Sequence, residues 1–387
     1  MNVLNVNMSL DPVSGGGTVE RTVQMSREIS RNGVKTVILT TNIGLSEKYI
    51  KNADGMEIIT LPCLVKRFYF PVFSYKFIKK LVTESDVIHL MGHWTFLNAL
   101  VYYAARQVKK PYVVCPAGAL PIYGRSQILK KLYNFIIGKK IIRNAKACIA
   151  IAKNEEAHFK AYGIGTDKIS FISNGINCED FKPKDGNAFR NKYDIESHPF
   201  ILFMGRLNHI KGPDLLLRAF YQARKELGGY HLVFAGPDCG MLAELQNMAA
   251  QLSLWDKVHF VGYLEGNDKA AAYQEAKLLV IPSRQEAMSL VVLEAGISAR
   301  PVLITDQCGF NDITTVNGGM VVTASVEGIQ KGLIEILKDD KKMQYMGQNL
   351  KRYVEDSFTW KIAGEKYIRL FQNILATRDE SIIPVFH

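Results

Sequence analysis

The sequence predicts an α/β fold made of two doubly wound, Rossmann-like parallel sheets. Short apolar runs alternate with helix-length amphipathic segments along all 387 residues, and this alternation is typical of parallel sheets with helices on both faces. The length allows two domains. A polar, turn-rich stretch at 174–187 separates two series of apolar runs and is the expected linker. We therefore expect two domains that face each other across a cleft at the carboxyl edges of their strands.

Each apolar run is expected to form one strand, because it is short and bounded by turn-forming residues. The predicted strands are 3–8, 36–40, 57–61, 87–91, 112–115, 148–152 and 169–172 before the linker, and 200–204, 231–235, 258–261, 278–281, 302–305 and 320–322 after it. A last amphipathic helix is expected from Trp360, with Thr359 as its N-cap. The predicted domains are 1–178 and 179–357, and the helix within 358–387 is expected to cross back to the first domain.

Composition excludes several classes of protein. Hydrophobic residues make up 48% and charged residues 22% of the chain, as in ordinary soluble domains. The first residues lack the basic region and cleavage site of a signal peptide. The six cysteines are scattered without a CxxC pair, which predicts reduced thiols in a cytoplasmic protein and neither a disulfide frame nor a zinc site. The uncharged run 87–105 is interrupted by polar residues and predicts a strand, a loop and a helix instead of a membrane span.

The positive charge is concentrated in the first half of the chain. The net charge is +11, and no Asp or Glu occurs from Val87 through Asn154. Segments 66–80 and 125–146 mix lysine and arginine with aromatic and aliphatic residues, and this mixture favours the surface of an anionic membrane. A solvated basic face is the plain alternative. Nucleic acid would also be attracted, but no recognised nucleic-acid-binding module is present.

Two carboxylates and two cations mark the candidate site. Glu286 and Glu294 bracket the apolar run that follows the strand at 278–281, while Arg206 and Lys211 follow the strand at 200–204. Both groups lie at strand-to-helix junctions, where parallel α/β sheets bind ligands. The free N–H groups of a helix starting near Leu290 would attract phosphate oxygens, and the two cations would add fixed charge. Glu286 and Glu294 would then be free to hold hydroxyl groups. Two glutamates eight residues apart also occur by chance, so the pair alone is weak evidence for a ligand site.

Three glycines, Gly15–Gly17, follow the first strand. Glycine lets a backbone approach a ligand closely, although a flexible loop is an equally open interpretation. The run is not a dinucleotide-binding fingerprint, because Glu20 stands where the last glycine belongs, and the lysine of a P-loop is absent. These departures argue against an NAD-dependent dehydrogenase.

Taken together, these motifs resemble a retaining glycosyltransferase of family 4, of the kind found in bacterial lipopolysaccharide and exopolysaccharide synthesis. The resemblance spans essentially the whole chain and implies the GT-B fold. The residues that carry it are Gly15–Gly17, His93, Asn174-Gly175, Gly205-Arg206-Leu207, Lys211-Gly212, Glu286 through Glu294, and Phe358-Thr359-Trp360.

The resemblance implies a role for each matching position. Arg206 and Lys211 would bind the donor diphosphate and stabilise its departure, Glu294 would hold the nucleotide ribose, and Glu286 would contact the transferred sugar. The remaining positions implied for the substrates are Met288, Ser289 and Leu290 along the sugar and phosphates, Gly16 and Gly17 near the phosphate, Tyr263 at the base, and His93 near the sugar and acceptor. In the family an aromatic residue and a glycine usually stand where this chain has Met288-Ser289, and this departure bears on sugar identity and activity.

The expected reaction moves a hexosyl unit, with retention, from a nucleotide-sugar to a lipid-linked, lipopolysaccharide or exopolysaccharide acceptor. The first domain would bind the acceptor and the second the donor, a UDP-sugar in preference to GDP-mannose. No Asp-x-Asp motif occurs in the chain, so Arg206, Lys211 and a helix start are expected to act without a metal or other cofactor. The expected location is cytoplasmic, at the inner face of the plasma membrane. The alternative is a catalytically weak nucleotide-sugar- or membrane-binding protein that retains the fold, which Met288-Ser289 motivates.

Overall fold

The computed structural model of the chain describes residues 1–11, 17–45, 55–122, 126–182, 185–195 and 198–380, with side chains as far as 377 in the last range. The chain divides into two compact units, one made of Met1–Asn174 with the segment that begins at Trp360, and the other of Gly175–Thr359. Each unit has a parallel sheet flanked by helices, which confirms the predicted fold class.

The first unit is built on a seven-stranded parallel sheet in the order β3-β2-β1-β6-β7-β8-β9. Its strands are β1 Asn2–Val6, β2 Lys35–Thr41, β3 Glu57–Leu61, β6 Val87–Met91, β7 Tyr112–Cys115, β8 Ala147–Ala150 and β9 Ile169–Phe171, with a separate antiparallel pair of β4 Cys63–Val65 and β5 Phe70–Pro71. The strand order reverses beside β1, as in other doubly wound sheets.

Helices connect these strands. They are α1 Gly17–Arg31, α2 Tyr75–Glu84, α3 Phe96–Gln107, α4 Gln127–Tyr133, α5 Lys139–Arg143 and α6 Glu155–Ala161, with 3₁₀ turns at Lys66–Phe68 and Thr166–Lys168. Side-chain caps fix two of the starts: Ser74 accepts the N–H of Phe77 at 3.4 Å and Thr95 that of Asn98 at 3.1 Å. A π-helical turn, Asn134–Gly138, joins α4 to α5.

The second unit has a six-stranded parallel sheet in the order β12-β11-β10-β13-β14-β15. Its strands are β10 Phe200–Met204, β11 His231–Ala235, β12 Val258–Gly262, β13 Leu278–Ile281, β14 Val302–Thr305 and β15 Gly319–Val322. The order reverses between β10 and β13, and open α/β sheets bind ligands at the carboxyl edge beside such a point.

The helices of the second unit cover both faces of its sheet. They are α7 Gly186–Lys192, α8 Pro213–Gln222, α9 Arg224–Leu227, α10 Leu242–Gln251, α11 Gly266–Glu275, α12 Leu290–Ile297, α13 Val326–Ile336 and α14 Asp340–Ser357, with 3₁₀ turns at Cys178–Phe181 and Asn311–Ile313. Ile201 and Phe203 belong to one core cluster, and the intervening Leu202 is also fully buried. A strand buried on both faces is apolar at nearly every position, and this explains the continuous apolar runs in the sequence.

The predicted strand bounds agree closely with the structure. Three strands of the first series and four of the second match residue for residue, and the others differ by at most two residues at an end. The short pair β4 and β5 was not predicted, and the expected linker contains a 3₁₀ turn and the start of α7. The units divide after Asn174, whereas the predicted boundary is at 178.

The last helix, α15 Trp360–Glu380, packs within the first unit through a buried arginine. Arg21 of α1 donates to the hydroxyl of Tyr367 at 2.5 Å, to Asn174 Oδ1 at 2.5 Å and to the carbonyl of Ile172 at 2.8 Å. Burial opposes its charge, but neighbouring groups, Tyr367 among them, raise the pKa of Arg21 above its ordinary value. A buried cation therefore joins the first helix to the last. Within the described ranges, no helix is long and apolar enough to cross a membrane.

Candidate active site

The candidate site of the second unit is formed by the loops that follow β10 and β13. Gly212, with φ +67°, lies at the start of α8, and a side chain on it would collide with the carbonyl oxygen of Pro282. The N–H of Arg284 donates to the carbonyl of Ile210 at 2.8 Å. Only glycine tolerates both that φ and that close approach, so Gly212 allows the two loops to pack together.

An arginine and an aspartate join the same two loops. Arg284 donates to both carboxylate oxygens of Asp214 in α8, at 2.8 and 2.6 Å, and to the carbonyl of His209 at 2.7 Å. Burial alone would raise the pKa of Asp214, but the bonds from Arg284 outweigh it and the pKa lies below its ordinary value. This bidentate pair is a geometrically specific contact, and it links the two loops of the site.

Lys211 and Glu286, both predicted site residues, contact each other. The ammonium of Lys211 donates to Glu286 Oε1, and the hydroxyl of Ser283 donates to Oε2 at 3.1 Å. Glu286 therefore has one partner on each oxygen, because opposite charges on neighbouring, poorly exposed loops pair when nothing separates them. Its contact with a sugar hydroxyl stays a prediction. A bound sugar would have to share Glu286 with Lys211.

Glu294, the other predicted carboxylate, lies in α12 and is also engaged. Lys269 donates to its Oε1 and the hydroxyl of Tyr273 to its Oε2, each at 2.5 Å. Burial, followed by the charge of Glu294, raises the pKa of Tyr273 well above its ordinary value, so the phenol stays protonated and donates. The sequence reasoning missed Lys269 and Tyr273, because they lie on a different helix and their spacing of four residues does not by itself indicate a contact with Glu294.

The start of α12 lies between these two carboxylates. Met288 is 7% exposed and Ser289 fully buried, with φ −84° and ψ +113°, and Leu290 is the first helical residue. The hydroxyl of Ser289 does not cap the helix and has no hydrogen-bond partner in the part of the chain that the structure describes. The side chain of Ser289 thus leaves the first N–H groups of α12 uncapped, and uncapped N–H groups are what an anion-binding helix start requires.

Two further predicted residues lie on the same sheet edge. Arg206 is half-buried in the loop after β10, and Tyr263 follows β12 with 48% of its surface exposed. The strands β10, β11 and β12 are consecutive neighbours in the sheet. The structure therefore brings the predicted residues of the second unit, Arg206, Lys211, Tyr263, Glu286, Met288, Ser289, Leu290 and Glu294, to one edge of one sheet.

The remaining candidates belong to the first unit. Gly16 lies outside the described residues, as does Arg125 of the basic segment, and Gly17 is the exposed first residue of α1. His93, in the loop after β6, is 2% exposed and bonds through Nε2 to Asn134 Oδ1 at 2.9 Å. Burial lowers the pKa of His93 to about 4 against the opposing effect of Asn134, so the imidazole is neutral at neutral pH.

Among the described residues, no group of three or more His, Cys, Asp or Glu side chains could hold a metal ion. All six cysteines are free. His89 is fully buried and bonds to Asn5 Oδ1 at 3.1 Å.

Comparison with known proteins identifies the family. The model described as Glycosyl transferases group 1 matches residues 185–353, and the model described as Glycosyltransferase Family 4 matches residues 15–180. The chain is a family 4 glycosyltransferase. The enzyme is 26% identical to an uncharacterised glycosyltransferase of Methanocaldococcus jannaschii, over 96% of this chain and 98% of the relative.

Two other similarities cover nearly the whole enzyme. It is 23% identical to the O-antigen chain mannosyltransferase C of Escherichia coli, over 98% of this chain and 100% of the relative. The crystal structure of Anabaena HepE in complex with UDP and glucose superposes with a TM-score of 0.80 at 16% identity, over 96% of this chain and 100% of that one. This likeness supports the GT-B fold of the enzyme.

Proposed function

We propose that this glycosyltransferase moves a hexosyl unit from a nucleotide-diphosphate sugar to a lipid-linked, lipopolysaccharide or exopolysaccharide acceptor at a membrane surface. The observation that carries the proposal is the sheet edge of the second unit. There, Arg206, Lys211, the start of α12 and two poorly exposed carboxylates lie around the point where the strand order reverses. This arrangement suits a ligand with a diphosphate flanked by two hydroxyl-bearing rings.

The favoured donor is a UDP-sugar, with GDP-mannose second. The Anabaena protein of similar fold was crystallised with UDP and glucose, while the E. coli relative is named as a mannosyltransferase. On this proposal, Tyr263 contacts the base, Glu294 the ribose and Glu286 the sugar. Met288 and Ser289 line the sugar, so they are the positions at which sugar choice would differ from relatives with an aromatic residue and glycine.

The chemical step places negative charge on the departing diphosphate. The bond from the sugar C1 to the phosphate oxygen breaks, the bond from C1 to the acceptor oxygen forms on the same face, and the acceptor proton passes to the leaving phosphate. Arg206, Lys211 and the N–H groups of α12 would stabilise that charge as a preorganised electrostatic clamp, without a metal. Glu286 would orient the sugar and not attack it, because Lys211 and Ser283 hold its oxygens.

A membrane-bound acceptor is supported by an exposed helical surface in the first unit. We call residues 126–143, which span α4, the π turn and α5, the basic–apolar helix. Its exposed apolar residues recur at helical spacing and are Ile128 (82%), Leu129 (52%), Leu132 (51%), Phe135 (85%) and Ile136 (56%). Five cations and no acid share the segment. Such a helix is suited to lie in the interface of an anionic bilayer, as an enzyme with a lipid-linked acceptor would require.

Nucleotide binding tests the donor site. Calorimetric titrations of UDP, GDP and ADP without metal would use wild type, Arg206→Ala and the control Arg352→Ala, which alters an exposed arginine of α14. Saturable binding of UDP by wild type and the control, weakened at least tenfold in Arg206→Ala, is expected. Preference for GDP would select the second donor class. Absence of binding to every nucleotide would overturn the proposed function.

Vesicle flotation tests the acceptor surface separately. Wild type is expected to float with vesicles containing phosphatidylglycerol and to remain unbound with phosphatidylcholine alone, because the basic–apolar helix carries only positive charge. Equal flotation with both lipids, or none with either, would contradict the membrane part of the proposal while leaving the donor site untouched.

A further inference from the structure

Glu294 is held by two donors that come from one helix. Lys269 and Tyr273 are four residues apart in α11, so they project from the same face, and each donates to a different carboxylate oxygen of Glu294 at 2.5 Å. The side chain of Glu294 is 12% exposed and that of Lys269 30%, while Tyr273 is fully buried. This carboxylate is thus anchored at both oxygens and still partly accessible.

The helix that carries these donors is itself anchored. The ring of Tyr273 packs against that of Phe181 with centroids 5.9 Å apart, and the ammonium of Lys269 lies 5.8 Å from the Phe181 ring centroid. At the two ends of α11, Asp268 bonds to Lys192 at 2.5 Å and Glu275 to Arg190 at 2.7 Å. The two donors are therefore presented from a fixed frame.

Two anchors fix the orientation of the carboxylate and leave it able to accept more hydrogen bonds. The terminal torsion of a glutamate is broad and poorly defined by itself, but separate donors on the two oxygens of Glu294 hold its plane. A carboxylate has about four lone-pair sites. With two sites occupied, roughly one remains on each oxygen, and this suits a pair of neighbouring hydroxyl donors.

We propose that Lys269 and Tyr273 are positioning residues that orient Glu294 to accept both the 2′- and the 3′-hydroxyl of the donor ribose, so that together they determine selectivity for ribonucleotides over 2′-deoxyribonucleotides. The inference rests on the proposed function, which places a nucleotide ribose at Glu294. It predicts that loss of either donor releases the plane of the carboxylate and weakens the recognition of the ribose hydroxyls more than nucleotide binding as a whole.

Calorimetry with matched pairs of nucleotides tests the inference. UDP and GDP are each titrated beside their 2′-deoxy forms into wild type, Tyr273→Phe and Lys269→Met. Wild type is expected to bind its ribonucleotide about tenfold more tightly than the deoxy form, as loss of one hydrogen bond to a charged group predicts. In both variants the ratio is expected to fall to about two or three. A general packing defect would weaken both nucleotides equally and leave the ratio unchanged.

The chain offers matched controls for both substitutions. Tyr345→Phe and Lys342→Met remove the same chemical groups from exposed positions of α14 that do not bond to Glu294. Both controls should keep the wild-type ratio. Lys269, being partly exposed, provides a variant that should fold even if Tyr273→Phe does not.

The outcomes separate this inference from the proposed function. Nucleotide binding by wild type with an unchanged ratio in both variants, or with no preference for ribose in wild type, overturns the positioning role alone. Failure of wild type to bind any nucleotide diphosphate overturns the proposed function and this inference with it.

Discussion

At the scale of single residues, ion pairs hold the side chains of the candidate site. Lys211 and Glu286 are 21% and 14% exposed, and each compensates the other's desolvation. A donor diphosphate would offer Lys211 a second anionic partner, while a sugar hydroxyl would offer Glu286 a second donor. The pair therefore holds both side chains where, on the proposed function, the donor would contact them.

Replacing one partner of this pair should lower the free energy of unfolding more than the loss of the pair itself accounts for, because the other partner is left buried without a counter-charge. Lys211→Met leaves the carboxylate of Glu286 unpaired, and we expect it to lower the free energy of unfolding of the second unit by about 1–3 kcal/mol. The double variant Lys211→Met/Glu286→Gln should lose less than the sum of the two single variants. Urea unfolding of the four proteins in this cycle measures the coupling, and strict additivity would show that the pair makes no contribution.

The sequence located the site carboxylates but not what holds them. Glu286 and Glu294 were identifiable because they follow a strand-like run at the spacing of a known motif. Lys269 and Tyr273 lie 25 and 21 residues before Glu294 on another helix, and only the tertiary fold brings their side chains to Glu294. Their role depends on tertiary contacts, which periodicity and local propensity do not encode.

Two buried histidines should make stability depend on pH. Burial lowers the pKa of His93 to about 4 and, together with Arg21, that of His89 to about 3, whereas unfolded histidine titrates near 6.5. Between these values the unfolded chain binds more protons than the folded one. Protonation of these histidines therefore leaves the free energy of unfolding unchanged above about pH 6.5. As pH falls from there toward 4, this free energy decreases by up to about 1.4 kcal/mol per pH unit for each histidine.

Substitution of one histidine tests this linkage. Between pH 6 and 4.5, the free energy of unfolding of His93→Gln should depend less steeply on pH than that of wild type. The slope should be smaller by about 1.4 kcal/mol per pH unit, the value for one proton. His198→Gln, at an exposed position in the second unit, is the matched control. Urea titrations at a series of pH values provide the comparison, and parallel curves for His93→Gln and wild type would refute the assignment.

At the scale of elements, the parallel strands were predictable because burial on both faces makes them continuously apolar. β10 and β13 agree with the prediction to the residue. The pair β4–β5 was missed because its strands are very short and partly exposed, and the π turn Asn134–Gly138 leaves no distinct periodic signal. The bond between Arg21 and Tyr367, 346 residues apart in sequence, is equally invisible to local patterns.

The attachment of α15 to the first unit should depend on that bond. Tyr367→Phe removes the hydroxyl that accepts from buried Arg21, and a buried charged donor that loses a partner costs about 1–3 kcal/mol. Hydrogen exchange of α15 amides should therefore become roughly 10- to 100-fold faster. Tyr345→Phe, which alters a tyrosine that is 62% exposed, should leave exchange unchanged. Unaltered protection in Tyr367→Phe would mean that apolar packing alone holds the helix.

At the scale of the whole molecule, the distribution of charge matters more than its sum. The net charge of +11 includes a stretch from Val87 through Asn154 without a single acid. Within that stretch, Ile128 and Phe135 are more than 80% exposed. Large apolar side chains are seldom left in water beside cations unless a partner covers them, and a bilayer surface would cover both kinds of group at once.

Membrane binding by the basic–apolar helix should separate into an electrostatic and an apolar component. Lys139→Gln/Lys140→Gln removes two charges worth about 1 kcal/mol each near an anionic surface, so vesicle binding should fall about 30-fold at low salt and much less at high salt. Ile128→Ser/Phe135→Ser should weaken binding about tenfold for each side chain, by a factor that changes little with salt.

Equivalent changes at Lys341, Lys342 and Trp255, exposed positions in the second unit, serve as controls. Sedimentation with phosphatidylglycerol vesicles at two salt concentrations measures both components. If the controls weaken binding as much as the helix variants, the membrane contact lies elsewhere, because only a surface that touches the bilayer can contribute a salt-sensitive and a salt-insensitive term from neighbouring residues.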